Sequence, residues 1–273
     1  MTKPLPKEIT SYDLLKAAAV IIMIIDHIGF YFFSDEMWWR AIGRIGFPIW
    51  FFLVGYARSR DFSPRLWAGA IILVIANFAV GMYVLPLNAL FTIIAIRLLI
   101  DPLVRMSMVN LYALFSFSVV LMFLILPTNM ISEYGTQALI MAMFGYLVRN
   151  REMLKNAPAI LNAYMVFALG TFLLMQHTVF YFSPVQWYVM GGGTFFVMGV
   201  LFFFKSVTFP KLTQALPHFM TFIIQLMGRR TLEIYVFHLL LFKAMVFIMY
   251  PELYGLFDWY WFYGEMVNEQ YVE

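Results

Sequence analysis

The residues best suited to chemistry are Asp26 and His27, which follow the apolar run Ala17–Ile25. An ionisable group inside a membrane helix costs about 2.5–3.5 kcal/mol on insertion scales, so such groups usually serve a function. Imidazole moves protons near neutral pH, and a neighbouring carboxylate can fix its tautomer or stabilise its cation. We therefore predict His27 and Asp26 as catalytic residues. The alternative is that the pair caps the segment at a hydrated interface.

Lys16 precedes His27 by eleven residues, a spacing that places both on one stripe of a helix. Eleven steps of about 100° return to within roughly 20° of the starting direction, and the rise along the axis is about 16 Å. Such a helix can wall a narrow channel with a cation at its inner mouth and a titratable base near its outer end. Lys16 is therefore a predicted substrate-binding residue.

Two arginines follow this segment at helical i, i+4 spacing, Arg40 and Arg44. One interpretation is that they help to bind substrate, with Arg44 stabilising a developing oxyanion. The other is that they pair with Asp26, Asp35 or Glu36. Both interpretations remain open at this stage.

Four further positions complete the predicted substrate-binding set. Arg97 lies within an apolar segment and is another possible partner for Asp26, whereas Asn88 opens the same segment. Tyr235 and His238 lie one turn apart in the last apolar segment, and a structural hydrogen bond is the alternative role for His238.

Composition excludes several classes of chemistry. The chain has no cysteine, which excludes disulfides, thiol nucleophiles and thiolate metal sites. Its four histidines show no metal-ligand spacing, so we predict no metal. A net charge of +3 gives no reason to expect nucleic acid as a partner. Covalent chemistry would therefore use oxygen or nitrogen.

The same composition indicates a membrane protein. Hydrophobic residues make up 63% of the 273 positions and charged residues 12%, with a mean hydropathy of +0.82. A membrane helix needs about 20 apolar residues. We predict an all-α, polytopic helical bundle of about nine to ten transmembrane helices. The predicted spans are 13–33, 44–58, 66–85, 88–104, 109–126, 134–149, 158–175, 186–204 and 231–250, and 211–228 is an interfacial helix or a tenth, partly inserted element.

Basic residues indicate the orientation, because Lys and Arg mark cytoplasmic loops. Nine spans with a cytoplasmic N-terminus fit this rule. Residues 1–12 then form a cytoplasmic segment and residues 251–273 a short exported acidic tail. The first span lacks a cleavage site and is expected to remain as an anchor. We predict one domain, residues 1–273, crossing the inner membrane several times, with the lipid bilayer as a partner.

A family resemblance rests on the first 55 residues. Tyr12-Asp13-Leu-Leu-Lys16, the Asp26-His27 pair and the run Gly43–Gly55 resemble the TraX family of conjugative-pilin acetylases. Weaker similarities to the same family occur in Asn88–Phe91, at Tyr134-Gly135 and in Ile234–Leu239.

TraX proteins are similar in turn to wider transmembrane acyltransferases related to acyltransferase-3 proteins. In that group the first helix carries an Asp-x-x-Arg pattern and a histidine eleven residues after the arginine; here Lys16 replaces that arginine. The resemblance implies acetyl-CoA as acyl donor, with its phosphates near Lys16, and His27 as general base. It also implies an acceptor on the far side of the membrane, such as a pilin or an envelope glycan.

The leading hypothesis is therefore transfer of an acetyl group across the membrane to an amine or hydroxyl. His27 would act as base or as a nucleophile that carries the acyl group, and the sequence does not separate these routes. A proton-coupled transporter is the main alternative, because proton relays also use ionisable residues within spans. A third possibility is an assembly factor without catalytic activity.

Overall fold

The computed structural model describes residues 6–154 and 156–264, and it is 74% helical. In the described residues the helices are α1 (Ser11–Phe32), α2 (Met37–Arg44), α3 (Phe47–Tyr56), α4 (Pro64–Ala79), α5 (Ala89–Ser107), α6 (Leu111–Phe123), α7 (Ile125–Asn129), α8 (Gly135–Arg149), α9 (Ala157–Val179), α10 (Pro184–Phe202), α11 (Pro210–Ala215), α12 (His218–Arg229) and α13 (Thr231–Met249). A 3-10 turn occupies Arg151–Met153. Strands β1 (Tyr83–Leu85) and β2 (Tyr260–Phe262) form a parallel pair.

The predicted helical bundle is confirmed, and each of the nine predicted spans contains a helix. Within the described residues, four helices are long and apolar enough to cross a membrane, namely α1, α9, α10 and α13. Helices α4 and α6 are apolar but shorter. The chain is thus a helical membrane protein, while the count of nine to ten crossings stays a prediction.

In two predicted segments the helices begin and end at other residues than expected. The span predicted at 44–58 contains α3, and only its first residue, Arg44, belongs to α2. The two helices are separate because the ring of Pro48 would clash with the carbonyl of Arg44 in one continuous helix. The ambiguous segment 211–228 contains α11 and α12, which are separated at Pro217. Helix α12 has 12 residues and is about 18 Å long, too short to cross a hydrocarbon core of roughly 30 Å.

The chain folds into two compact units, and the division falls within α3 and α13. Unit one contains the described residues up to Trp50 together with Ser183–Tyr235. Unit two contains Phe51–Phe182 and the described residues from Val236 onward. This division does not test the prediction of one functional domain.

Helix α1 begins with a capping box that is visible in the sequence as Thr10-x-x-Asp13. The backbone N–H of Asp13 donates to Thr10 Oγ1 at 3.1 Å, and the N–H of Thr10 donates to Asp13 Oδ2 at 2.9 Å. These bonds satisfy two backbone donors at the helix start and fix where α1 begins.

Helix α8 forms the core of unit two and is buried along most of its length. It crosses α3 where Gly55 and Gly145 let the two backbones touch. A Cβ atom on Gly145 would lie 2.9 Å from the carbonyl carbon of Phe52 and 3.0 Å from the N atom of Tyr56. The glycine is therefore required by the close approach of the helices.

We expect Gly145→Ala to lower the free energy of unfolding by about 1–3 kcal/mol, because backbone rather than a flexible side chain opposes the added methyl group. Gly170→Ala is the matched control, since a Cβ there has no neighbour within 4 Å and alanine is the better helix former. Thermal unfolding in detergent compares the two. Equal stability of the two variants would contradict the tight crossing.

Candidate functional site

The carboxylate of Asp26, on α1, is held by both arginines of α2. Arg40 Nη1 lies 2.9 Å from Asp26 Oδ2 and also donates to the Asp26 carbonyl at 2.9 Å. Arg44 Nε lies 3.4 Å from Asp26 Oδ1, an ionic contact not aligned as a hydrogen bond. Asp26 and Arg40 are 6% and 9% exposed, so this is a buried cluster.

The cluster exists because α1 and α2 pack backbone against backbone at Gly43. A Cβ on Gly43 would lie 2.5 Å from both Cα and Oδ1 of Asp26. Arg40 and Arg44 flank this glycine on one face of α2 and so reach the carboxylate from either side. Helix α2 therefore runs back along α1, with Arg40, Ala41 and Gly43 buried.

Pairing of both arginines with Asp26 confirms one of the two sequence interpretations. Two guanidinium groups and one carboxylate carry a net charge of +1. Arg40 also lies over the ring of Phe30, with 5.4 Å between its Cζ and the ring centroid. Roles for Asp26, Arg40 and Arg44 in catalysis or substrate binding stay predictions.

His27 is half-buried and lies against the ring of Tyr235 from α13. The two ring centroids are 6.2 Å apart and the planes are tilted by 55°. Tyr235 is 9% exposed, so one side of the imidazole faces a buried phenol ring. The structure thus brings together two residues that the sequence placed more than 200 positions apart.

Lys16 and His27 belong to one unbroken helix, α1, as their spacing required. Lys16 is half-buried and lies one turn after the buried carboxylate of Asp13. The shared stripe is therefore confirmed. Binding of substrate by Lys16 stays a prediction.

The remaining predicted site residues lie in unit two, where each has a contact of its own. Asn88 caps α5, since its Oδ1 accepts from the Leu90 N–H at 3.2 Å. Arg97 donates to the carbonyl of Asp61. His238 is 6% exposed and packs edge-on against the ring of Phe242, with centroids 5.6 Å apart. Their substrate-binding roles stay predictions.

Sequence reasoning missed an ion pair at the start of α1. Arg229 Nε lies 3.3 Å from Asp13 Oδ1, and Arg229 Nη2 lies 3.3 Å from Asp13 Oδ2. The capping pattern around Asp13 was a usable signal for its burial. No local signal identified Arg229, which is 216 positions away.

Unit two also contains a buried charge, Lys243 on α13, which is 6% exposed. Its Nζ donates to Asn77 Oδ1 at 2.5 Å and lies 3.8 Å from Met82 Sδ. In the part of the chain that the structure describes, no group of three or more His, Asp or Glu side chains has a metal-binding arrangement.

Comparisons with known proteins agree with the sequence resemblance. The sequence model of one family, described as "TraX protein", matches residues 11–246. An uncharacterized protein of Rickettsia prowazekii (strain Madrid E) is 39% identical over 85 residues, 31% of this chain. The match covers 34% of the length of that relative, about a third. No solved structure matches the chain significantly.

We expect Asp26→Asn to lower the free energy of unfolding by about 3–5 kcal/mol, because it leaves two buried guanidinium groups without their carboxylate. Arg230→Gln is the control, since its pair with Glu233 is 58% and 46% exposed and such pairs contribute about 0–1 kcal/mol. Thermal unfolding in detergent measures both. If Asp26→Asn proves as stable as Arg230→Gln, the cluster does not hold α2 to α1.

Proposed function

The chain belongs to the TraX family, and from that membership and the surroundings of His27 we propose that it transfers an acetyl group across the membrane. The donor is acetyl-CoA on the cytoplasmic side, and the acceptor is an amine or hydroxyl on a pilin or an envelope glycan at the outer side. The observation that carries the proposal is the position of His27, which is half-buried and directly follows Asp26 of the buried cluster with Arg40 and Arg44.

In this proposal His27 removes the proton of the acceptor as its nitrogen or oxygen attacks the thioester carbonyl. The carbon–sulfur bond then breaks, and the imidazolium returns the proton to the departing thiolate. If His27 instead attacks first, the carbon–sulfur bond breaks, coenzyme A leaves as the thiolate and an acetyl-imidazole forms. The acceptor then takes the acetyl group in a second step, in which it loses its proton and the imidazole is released. The second route predicts that, when no acceptor is present, radiolabelled acetyl groups from acetyl-CoA remain covalently bound to the protein.

The buried arginines supply the electrostatics that such a reaction needs. Attack on the thioester places negative charge on its carbonyl oxygen, and fixed positive groups in a site without water stabilise that charge. Arg44 is the proposed donor to the oxyanion. Asp26 keeps both guanidinium groups in place and so acts on the reaction through them.

Helix α1 sets the path of the donor. With 22 residues it is about 33 Å long, enough to cross the hydrocarbon core of the inner membrane. Its N-terminal end is proposed to face the cytoplasm, where Lys16 meets the phosphates of acetyl-CoA. The pantetheine arm then follows the stripe from Lys16 to His27, about 16 Å further along the axis.

The second candidate function, a proton-coupled transporter, is favoured by the buried lysine of unit two. Lys243 is buried within the apolar helix α13 and contacts the amide oxygen of Asn77, and buried ionisable groups within spans also occur in proton relays. A transporter would move its substrate without acetyl-CoA. Acetyl-CoA binding therefore discriminates between the two candidates.

We expect His27→Ala to abolish transfer of radiolabelled acetyl groups from acetyl-CoA to the acceptor fraction in membrane vesicles, because no other group in the proposal takes up the proton. The control is His177→Ala, which removes an exposed imidazole near the end of α9. Both variants should unfold near the temperature of the wild type. Wild-type transfer by His27→Ala would exclude the proposed chemistry.

We expect Lys16→Ala to weaken binding of acetyl-CoA to the purified protein at least tenfold, which corresponds to about 1.4 kcal/mol. The physical reason is the loss of a cation that meets the donor phosphates. Lys205→Ala, which removes an exposed lysine after α10, should bind as the wild type does. Absence of binding to the wild type at millimolar ligand would favour the transporter instead.

A further inference from the structure

The chain that follows α13 packs back onto the end of α4 in unit two. Residues 250–264 begin directly after α13, and their strand β2 pairs in parallel with β1, with Tyr83 opposite Tyr260. The backbone N–H of Phe257 donates to the carbonyl of Ala79, the last residue of α4, at 3.2 Å. The segment 250–264 is therefore attached to the helices by backbone contacts.

A buried lysine fixes the strand that receives this segment. Lys243 Nζ donates to Asn77 Oδ1 at 2.5 Å, and Asn77 Nδ2 donates to the carbonyl of Tyr83 at 2.8 Å. At the turn between α4 and β1, a Cβ on Gly81 would lie 2.9 Å from the backbone N atom of Gly255. These contacts hold β1 and the segment that pairs with it against α4 and α13.

Four rings form a connected surface at this end of α4, which we call the aromatic patch: Phe78, Phe257, Trp259 and Trp261. The ring centroid of Phe78 lies 5.9 Å from that of Phe257 and 5.1 Å from that of Trp259. The centroids of Trp259 and Trp261 are 4.9 Å apart. Phe257 and Trp261 are 59% and 58% exposed, and the adjacent Leu256 is 64% exposed. A contiguous exposed apolar surface marks a contact with another protein or with a membrane.

The exposed face of α4 leads directly into the aromatic patch. Ile71, Ile75 and Phe78 are all exposed and follow one another at steps of four and three residues, which places them on one face of the helix. Over about 10 Å of helix the exposed side chains thus change from aliphatic to aromatic. Aliphatic side chains favour the hydrocarbon of a bilayer, whereas Trp and Tyr are enriched at its interfaces with water. The order of these side chains therefore matches the passage from hydrocarbon to headgroups.

The backbone of the segment also fits the headgroup region. Lipid-exposed turns and sheet edges do not occur within the hydrocarbon, because no water is present there to bond their polar groups. Residues 250–264 consist of turns and one strand of a two-stranded sheet, and they begin where α13, which is long and apolar enough to cross a membrane, ends. A hydrated interface satisfies this backbone and also accommodates the exposed rings.

Charge indicates which headgroups suit the segment. Residues 250–264 include the exposed carboxylates of Glu252 and Asp258 and contain no Lys or Arg. Such a segment repels anionic headgroups. The ammonium group of a zwitterionic phospholipid is instead attracted by carboxylates and by the faces of aromatic rings.

We propose that the aromatic patch binds the membrane interface, with zwitterionic phospholipids such as phosphatidylethanolamine as its partners. The rings lie among the headgroups of the leaflet at which α13 ends, and Glu252 and Asp258 face the ammonium groups. Because Lys243 and Asn77 hold β1 to the helices, the patch fixes the depth of α4 and α13 in the bilayer.

The chain contains no cysteine, so a spin label can be attached at one introduced cysteine. Leu256→Cys places the label beside the aromatic patch. The controls are Ile75→Cys, on the exposed face of α4, and Met153→Cys, at an 82% exposed position in the turn after α8. The full chain is studied in nanodiscs of phosphatidylethanolamine and phosphatidylcholine. Collisions of the label with oxygen, which concentrates in hydrocarbon, are compared with collisions with an uncharged, water-soluble nickel chelate.

We expect the label at position 256 to collide with the chelate severalfold less often than the label at 153, and with oxygen severalfold less often than the label at 75. Access to the chelate equal to that at 153 would place the patch in water. Protection from both reagents would place it under protein, and dipolar broadening between labels would identify a second copy of the chain. Either result overturns the inference. Leu253→Cys, at another exposed position of the segment, repeats the measurement.

Exchange of the lipid for phosphatidylglycerol tests the choice of headgroup. In the Leu256→Cys chain we expect access of the chelate to rise severalfold, because Glu252 and Asp258 then meet anionic phosphates. Adding Glu252→Gln and Asp258→Asn together should remove this rise. Glu152→Gln, which removes an exposed carboxylate outside the segment, should leave the rise unchanged. Equal access in both lipids would overturn the assignment of zwitterionic partners.

Discussion

Buried charge has to be paired within the protein, and in unit one that requirement fixes how the chain folds around α1. The carboxylate of Asp26 is almost excluded from solvent, and two guanidinium groups from α2 surround it. Leaving any one of these groups alone in an apolar environment would be far costlier than burying all three together. The close contact at Gly43 brings both arginines within reach of Asp26, and the pairing in turn holds α2 against α1.

A second carboxylate holds α1 from a different direction. Asp13 precedes Asp26 by thirteen residues, so the two side chains leave the helix about 140° apart. Helix α12 meets α1 at Asp13 and α2 meets it at Asp26. The side chains of Lys16 and His27 point in a direction between those of the two carboxylates, about 40–100° around the helix axis from either of them. The helix is thus anchored on two sides, which defines the direction its reactive stripe faces.

The sequence predicted these features to different degrees, for physical reasons. Apolar length determined where helices form, and helical periodicity determined that Lys16 and His27 share a stripe, because both depend only on neighbouring residues. The break before Pro48 was also encoded locally, although the predicted span ran through it. The choice of partner for each charged side chain was not encoded by neighbouring residues. Asp26 had several possible arginines, and Arg229 gave no local indication that it reaches Asp13, since long-range pairing depends on the packing of whole helices.

The carboxylate of Asp13 serves the capping box of Thr10 and the ion pair of Arg229 at the same time. Related chains that lose one of these three side chains leave a buried group unsatisfied, and a second change at one of the other two positions relieves it. Positions 10, 13 and 229 should therefore covary in an alignment of the family, with glycine retained at position 228 for as long as the pair persists.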